Sequence, residues 1–440
     1  MTNPFADRRT WVPTRAMGRA VMVTAFLAVV AVVLGRYDLV VLAAPFALGA
    51  AWGLRTRPSR LPELTLTSTE DPVVEGNEIA ARVMVTNTDA CAYDVVVVRA
   101  APSRWVRLRH SDRPYVGELP AGAATAVDLA GPALRWGEHW VGPAQAFAVA
   151  GGGLLISTPT FTDVAPIKVF PAVDDFRADD AMPHAAGLVG VHRSRRPGEG
   201  GELAGIRAFA PGDRLRRIDW RTTLRAQHPY VAQTLSDRDA EVALVLDVVH
   251  EAGRSGGIHG AASALDTTVR AATAIAQHYL HRGDRVSLIE YSYEIRRLRA
   301  GSGRRHFHAV LEWILQVRPS DGVETPPPYL FDGHHLPTRG LVVVLTPLLN
   351  EHSAEMVARL ARSGRMVVAI DTLDASAAKP YQRSAWGPLA HRLWWMDRQN
   401  VIGQLREVGV PVAEWAGTGS LDHVLRDVTQ LAAAPRVGVR

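Results

Sequence analysis

Residues 200–247 read GGELAGIRAFAPGDRLRRIDWRTTLRAQHPYVAQTLSDRDAEVALVLD and join an arginine-rich segment to an apolar run. Residues 191–240 contain ten arginines and six acidic residues, so most of the formal net charge of +5 lies in this part of the chain. The apolar run at 242–247 ends in an acid and predicts the first strand of an α/β domain. We therefore take this junction as the start of the C-terminal domain.

The arginine-rich box, residues 200–225, can be interpreted in more than one way. Planar guanidinium groups form paired hydrogen bonds with carboxylates or phosphates. The turn Pro211-Gly212-Asp213 is typical of type II, because proline presets φ and glycine accepts a positive φ. An internal ion-pair network of Arg207, Asp213, Asp219 and Arg221 would hold the box on the α/β domain. A surface for a partner or ligand, or a catalytic site, remains the alternative.

The box also resembles a known signature. The matching positions are Glu202, Gly205, Arg207, Phe209, Pro211, Gly212, Asp213, Arg217, Ile218, Asp219, Trp220, Arg221 and Arg225. They resemble the signature of a large bacterial family filed as domain of unknown function 58, closely in the box and loosely over most of the chain. The resemblance implies a C-terminal domain of the von Willebrand factor A kind. It also implies association with AAA+ ATPases of the MoxR type.

Two apolar runs near the N-terminus predict a transmembrane helical hairpin in residues 1–60, with helices at about 18–35 and 39–54. Each uncharged run is somewhat shorter than the roughly 20 residues that cross a bilayer, but flanking arginines can extend to the interface. A cleaved signal peptide would explain the first run and not the second. A buried helical hairpin is the alternative.

The distribution of arginines predicts the orientation of this hairpin. Arginines precede the first run and follow the second, at Arg8, Arg9, Arg15, Arg19, Arg55, Arg57 and Arg60. By the positive-inside rule, both termini and the main domains are cytoplasmic. We therefore expect a two-pass protein of the cell membrane.

Residues 61–172 predict a β-sandwich of the fibronectin or immunoglobulin kind. Short strand-like runs at 64–67, 79–86, 93–100, 124–129, 144–149 and 167–170 are separated by Gly, Pro, Asn and Asp turns, without helices between them. Trp105, Trp136 and Trp140 are expected in its core, with an interface as the alternative. Residues 173–240 form a linker that carries the arginine-rich box.

Residues 241–436 alternate between strand and helix patterns. Strands are predicted at 242–247, 285–291, 295–298, 341–345, 366–371 and 412–415, and helices at 265–282, 306–317, 354–362, 392–408 and 421–433. One antiparallel edge strand on an otherwise parallel sheet with helices on both faces is a doubly wound fold. The order is similar to that of a von Willebrand factor A domain.

Domains of that kind place Mg²⁺ at the carboxyl edge of the sheet, through an Asp-x-Ser-x-Ser motif, a threonine and a later aspartate. Here residues 247–251 read DVVHE, and Thr346-Pro347 stand where the later aspartate is expected. Asp247, Glu251 and Thr325 are the candidate ligands that remain. We expect no cofactor, and favour Asp247 as a structural acceptor for backbone amides.

Several function classes lack their sequence signals. The single cysteine, Cys91, excludes an intrachain disulfide and a cysteine-cluster metal site. There is no P-loop motif, no zinc-ligand spacing among the histidines, no Gly-x-Ser-x-Gly elbow and no common nucleic-acid-binding motif.

The first functional hypothesis is a membrane-anchored cytoplasmic adaptor, not an enzyme, that binds a MoxR-type AAA+ ATPase or other proteins and no nucleic acid. Its docking surface would be the box together with a degenerate, metal-free A-like domain. The second hypothesis is an enzyme or anionic-ligand-binding protein, with Asp213 or Asp219 as general base beside arginines. A third is anionic lipid or nucleic-acid binding by Arg193, Arg195 and Arg196, which predicts strong salt dependence.

Overall fold

The computed structural model describes residues 11–68, 71–109, 113–173, 197–210, 218–235, 241–293, 296–320, 326, 331, 336, 340–373 and 386–415. It divides into two compact units, Met1–Phe170 and Pro171–Arg440. Some predicted features lie outside the described residues, namely Arg193, Arg195, Arg196, Pro211, Gly212, Asp213, Arg217, Thr325 and the helix at 421–433.

The first unit begins with a short strand and two apolar helices, β1 (Trp11–Pro13), α1 (Arg15–Leu34) and α2 (Asp38–Arg55). Thr14 caps α1 by accepting a hydrogen bond from the Met17 amide, and Gly35 ends it in the left-handed conformation. Both helices are long and apolar enough to cross a membrane, and most of their apolar side chains are exposed. The predicted helices are confirmed, with α1 starting about three residues earlier than expected.

Eleven further strands of the first unit form its β-rich part. They are β2 (Glu63–Ser68), β3 (Val73–Val74), β4 (Glu78–Thr86), β5 (Tyr93–Ala100), β6 (Tyr115–Leu119), β7 (Ala124–Pro132), β8 (Gly137–Val141), β9 (Ala144–Ala150), β10 (Leu155–Ser157), β11 (Thr160–Phe161) and β12 (Ala165–Phe170). The sheet orders are β1-β10-β9-β5-β6 with β11 beside β9, β3-β12-β8, and β2-β4-β7.

Alternating residues of β4 show how these sheets are layered. Ile79 and Ala81 are buried in one core with residues of β8 and β12, whereas Val83 and Val85 are buried in another with residues of β5 and β9. Since alternate residues of a strand share one face, both other sheets cover the same face of β2-β4-β7. The result is two layers, the arrangement of a sandwich.

The three tryptophans expected in this core differ in their surroundings. Trp136 is buried, but Trp105 is half-buried, with the Arg104 guanidinium 4.3 Å from its ring centroid. Trp140 is 49 % exposed. The prediction that all three are core residues is therefore wrong for Trp140, because it lies on the outward-facing side of β8, where residues alternate between buried and exposed.

The second unit contains a hairpin with a short helix and then an α/β domain. The hairpin consists of β13 (Pro197–Ala208), α3 (Trp220–Ala226) and β14 (Tyr230–Leu235). The α/β domain consists of β15 (Glu241–Asp247), α4 (Ala264–His281), β16 (Arg285–Tyr291), β17 (Arg297–Gly301), α5 (Gly303–Ile314), β18 (Leu341–Thr346), α6 (Glu351–Arg362), β19 (Met366–Asp371), α7 (Gly387–Glu407) and β20 (Val412–Glu414).

The sheet of the α/β domain has the order β17-β16-β15-β18-β19-β20. All neighbours are parallel except β17, which pairs with β16 in the antiparallel sense. Helices α6 and α7 share a core with alternate residues of β15, β18 and β19, while α4 packs on β15, β16 and β18. The predicted doubly wound fold with one antiparallel edge strand is confirmed. The chain reverses its direction across the sheet at β15, which is where ligands bind in such folds.

Candidate functional site

The arginine-rich box folds as a β-hairpin whose connection carries α3. Arg207 pairs with Val231 and Ala208 pairs with Tyr230 across the two strands. The chain before α3 is tied to the start of β14, because the Phe209 amide donates to the Pro229 carbonyl and the Asp219 amide donates to the Tyr230 carbonyl, each at 2.9 Å. These bonds fix the direction in which α3 leaves the hairpin.

Asp219 is the N-cap of α3. Its carboxylate accepts a hydrogen bond from the Thr222 amide at 2.8 Å, and its backbone is extended. The Thr222 amide, together with the Arg221 amide and charge, lowers the pKa of Asp219 despite some desolvation. At the other end of α3, Gln227 adopts the left-handed conformation with φ of 55°. Asp219 therefore determines where the helix begins.

Helix α3 presents apolar and cationic side chains to solvent. Trp220 is 65 % exposed and Leu224 is 79 % exposed, and Arg221 and Arg225 are exposed beside them. Residues four apart lie on the same side of a helix, so Trp220 stands over Leu224 and Arg221 over Arg225. We call these four residues the α3 face. Leu224 was not among the predicted site residues, although its spacing of four from Trp220 was a usable signal.

The expected internal ion-pair network stays a prediction, because Asp213 lies outside the described residues. Asp219, which was expected to pair with an arginine, instead caps its own helix. Arg207 is exposed and donates to the Ala208 carbonyl at 3.0 Å. A short acidic side chain one residue before a helix is closer to that helix's free amides than to a side chain on another strand, which explains the outcome.

Two further signature positions lie in β13. For Glu202 the structure gives the backbone, which is in the strand. Gly205 pairs with Gln233, and a Cβ atom added at Gly205 would meet no other atom within 4 Å. Its backbone is not in the left-handed region either. No internal contact in the described part of the chain therefore requires glycine at this position.

The carboxyl edge of the sheet was the other predicted site, and Asp247 lies there at the end of β15. Its buried carboxylate accepts hydrogen bonds from the Thr346 hydroxyl at 2.6 Å and from the Val249 amide at 3.3 Å, and Ser353 also donates to it. Burial raises the pKa of Asp247, and these hydrogen bonds oppose the rise only in part. Asp247 thus accepts hydrogen bonds from side chains of the neighbouring strand and of α6.

A buried ion pair occupies the same edge beyond β18. Arg398 of α7 donates to the Asp371 carboxylate at 2.5 Å and to the Pro347 carbonyl at 3.0 Å. Both side chains are almost fully buried. Arg398 was not among the predicted site residues, although its spacing from Ile402 and Leu405 places it on the buried side of α7.

The described candidate metal ligands do not form a cation site. Glu251 accepts a hydrogen bond from the Leu265 amide at 3.3 Å, at the start of α4. Within the described ranges, no group of three or more His, Cys, Asp or Glu side chains could hold a metal ion. Asp247 and Glu251 therefore have structural partners, and Thr325 lies outside the described residues.

A small cavity lies beside the end of β16. Its volume is about 40 Å³, and it is lined by Tyr291, Phe331, His352, Glu355, Met356 and Arg359, among others. Tyr291 stacks on Phe331, and burial raises the pKa of Tyr291 to about 12. A space of this size holds one or two water molecules, whereas substrate pockets are roughly tenfold larger.

Residues 205–379 match the model of a family described as protein of unknown function DUF58, a range that includes most of the box and most of the α/β domain. Uncharacterized proteins of Mycobacterium tuberculosis (strain ATCC 25618 / H37Rv) and Mycobacterium bovis (strain ATCC BAA-935 / AF2122/97) are each 32% identical over 191 residues. The alignment covers 42% of this chain and 59% of each relative, so the chain spans less than two thirds of their length.

Solved structures resemble parts of the chain only distantly. A chain from the human complex of zinc 2-glycoprotein and prolactin-inducible protein covers 25% of this chain and is itself covered to 97%, with 12% identity and a TM-score of 0.20. Trypsin-activated alpha-2-macroglobulin from Escherichia coli covers 36% of this chain over 9% of its own length, with 17% identity and a TM-score of 0.21. At these TM-scores the likeness adds nothing to the description of the fold.

Proposed function

We propose that this protein is a membrane-anchored cytoplasmic adaptor that docks a MoxR-type AAA+ ATPase through the α3 face. The hairpin α1–α2 would anchor it, and the positive charges at the open end of that hairpin would place both termini and the main domains in the cytoplasm. The ATPase is the partner that the family resemblance implies, and the α3 face lies within the part of the chain that matches the family model.

The observation that carries this proposal is the exposure of Trp220 and Leu224 beside two arginines. Tryptophan and arginine are the residue types most enriched where protein–protein binding energy is concentrated. The apolar ring of an exposed tryptophan is not stabilised by contact with water. A signature tryptophan in this position is therefore best explained by burial against a partner. Gly205, which no described internal contact requires, would let a partner approach the backbone of β13 closely.

The geometry favours docking over the enzyme alternative. Asp219 is occupied as a helix cap and its pKa is lowered, so it is a poor general base near neutral pH. The acidic residues at the carboxyl edge of the sheet bind internal donors, and the cavity near Tyr291 is too small for a substrate. Docking would accordingly be independent of a metal ion.

The test is the affinity of the full-length protein, held in nanodiscs, for a purified MoxR-type ATPase from the same organism. We expect the double variant Trp220→Ala/Leu224→Ala to bind at least about tenfold more weakly than wild type, since removal of a single central tryptophan costs about 2 kcal/mol or more.

The matched control is Trp386→Ala/Leu389→Ala, which removes the same two residue types from exposed positions at the start of α7. We expect this control to bind like wild type. Equal affinity of the α3 variant and wild type would refute docking at the α3 face. No binding by wild type would refute the ATPase as its partner.

A further inference from the structure

We infer that the open end of the α1–α2 hairpin is a binding site for the phosphate groups of anionic phospholipids. This inference rests on the proposed membrane hairpin and adds a lipid preference to it. The site consists of five exposed arginines, which we call the arginine collar: Arg15, Arg19, Arg55, Arg57 and Arg60.

The two ends of the hairpin differ in charge. At the turn, Arg36 is paired with Asp38 at 2.6 Å, so that end is neutral. At the open end, the collar adds five positive charges within and just beyond the first turns of α1 and the last turn of α2. Each basic residue near a bilayer surface adds to the attraction of anionic lipid. The asymmetry therefore favours lipid phosphate at the open end.

The acidic residues near the collar already accept hydrogen bonds from other groups of the protein. Asp89 is buried and accepts hydrogen bonds from the Ser59 amide at 2.5 Å and from the Arg60 amide at 2.6 Å. Burial would raise the pKa of Asp89, but these bonds and one from Cys91 outweigh it and lower the pKa. Asp94 accepts a bond from the Gly153 amide at 3.1 Å, and exposed Glu63 from the Thr88 hydroxyl at 3.1 Å. All five collar residues are exposed, and Arg60 also donates to the Thr88 carbonyl at 3.4 Å.

The collar is fixed on the sandwich and does not hang from a loose linker. Before α1, the Thr14 amide and hydroxyl donate to the Leu154 and Gly153 carbonyls at 2.8 and 2.9 Å. After α2, the Arg60 carbonyl accepts from the Trp11 indole at 2.9 Å and from the Tyr93 hydroxyl at 3.1 Å. Both ends of the hairpin are therefore held by the same β-sheet, so the arginines keep a constant spacing.

Close packing at Gly53 adds to this attachment. A Cβ atom there would lie 2.9 Å from the Leu154 side chain, so the last turn of α2 lies directly on the 151–154 turn. Trp52, on the same turn of the helix, is exposed, and tryptophan concentrates at the interface between lipid tails and headgroups. Its position indicates that the neighbouring collar lies at the depth of the phosphates.

Arg57 illustrates how the collar is prepared for an anion. One of its terminal nitrogens donates to the Trp11 carbonyl at 3.0 Å, which orients the guanidinium, and the group is otherwise exposed. A planar fork that is oriented in advance binds a phosphate with less loss of side-chain freedom. We therefore expect lipid phosphate to bind more tightly here than to a disordered arginine segment.

The experiment measures binding of phosphatidylglycerol to the full-length protein in a neutral detergent, by native mass spectrometry and by the shift in Tm. We expect wild type to bind phosphatidylglycerol in preference to phosphatidylcholine. The triple variant Arg15→Gln/Arg19→Gln/Arg55→Gln should bind it about 100-fold more weakly. The corresponding triple lysine variant should keep most of the binding, because it keeps the charge.

Arg36→Gln is the matched control, since it removes one arginine from the neutral end and should bind phosphatidylglycerol like wild type. Inorganic phosphate and glycerol 3-phosphate serve as probes for a site that takes free phosphate. Equal effects of free phosphate and phosphatidylglycerol, or equal lipid binding by wild type and the triple glutamine variant, would overturn the inference.

Failure of the membrane proposal itself is recognised separately, by extraction of cell membranes with alkaline carbonate. If the protein is released, the hairpin does not span the membrane, and both proposals fail. If it is retained but shows no preference for phosphatidylglycerol, only the lipid inference fails. Correct folding of each variant is checked by its Tm in phosphatidylcholine alone.

Discussion

The carboxyl edge of the central sheet and the α3 face use charged and apolar residues in opposite ways. At the sheet edge, Asp247 and Asp371 are buried and each accepts hydrogen bonds from neighbouring side chains. On the α3 face, Trp220 and Leu224 are exposed beside two exposed arginines. The place where doubly wound folds bind ligands is here used for internal structure, and the side chains suited to binding are on the hairpin.

This difference has a physical consequence for mutations. A buried carboxylate that loses its partner keeps the full cost of desolvation, so substitutions at the sheet edge should act on stability. Exposed side chains in a short helix contribute little to the folded state, so substitutions on the α3 face should act on binding. The separation of these two effects is the main test of our assignment.

The largest expected effect is that of Arg398→Ala. It would leave Asp371 buried without its cation, which typically costs about 3–5 kcal/mol. For a domain of this size, 1 kcal/mol corresponds to about 2–4 °C, so we expect Tm to fall by about 6–20 °C. Urea and thermal unfolding of the full-length protein in nanodiscs provide the measurement.

Arg392→Ala is the control for that variant, because Arg392 is exposed on the same helix. We expect it to lie within about 0.5 kcal/mol of wild type. A destabilisation by Arg398→Ala that is no larger than this control would show that the ion pair does not hold α7 on the sheet.

The fold was largely predictable from sequence because its signals are local. Apolar runs of five residues, such as 242–246 and 341–345, allow little other than buried strands, and the helices between them have regular apolar spacing. Strands β1, β3, β6, β8, β10 and β11 were missed, because they have two to five residues and mostly depend on pairing with neighbours. Strands β13 and β14 were also missed, because the segment that contains them was predicted as a linker.

The partners of the polar residues were not predictable in the same way. Arg398 and Asp371 are 27 residues apart, and their contact depends on the packing of α7 against the sheet. Asp219 illustrates the opposite case, because the pattern of an Asp followed by a short helix was present in the sequence. The choice between capping and ion pairing depended on distances that only the folded hairpin provides.

A second prediction concerns Asp247 and pH. Its pKa is raised in the folded state, so between its unfolded pKa, near 3.8, and the higher folded pKa the unfolded chain binds fewer protons than the folded protein. The stability contributed by Asp247 is therefore fully present below pH 3.8 and is lost as pH rises through the folded pKa. Asp247→Asn, which does not titrate, should gain in stability relative to wild type as pH increases.

This prediction is checked by urea unfolding of both proteins at closely spaced pH values between 4 and 8. The difference between the two curves isolates Asp247, because other titrating groups are shared. A difference that is independent of pH, or that changes in the opposite direction, would show that burial does not dominate the environment of this carboxyl group.

The smallest effect on global stability is expected at Asp219, where three substitutions distinguish a helix cap from a general base. Asp219→Ala removes the acceptor for the Thr222 amide, so α3 should fray, and ATPase binding should weaken while the main unfolding transition is unchanged. Asp219→Asn and Asp219→Ser both preserve an N-cap acceptor, and we expect binding close to wild type. A general base would not tolerate either of these changes, because neither side chain can take up a proton near neutral pH. If the alanine variant bound the ATPase like wild type, the capping role would be contradicted. Loss of this binding in both capping variants would restore the enzyme hypothesis. Because α3 has only seven residues and lies on an exposed connection, we expect this single cap to determine whether Trp220 and Leu224 are presented together.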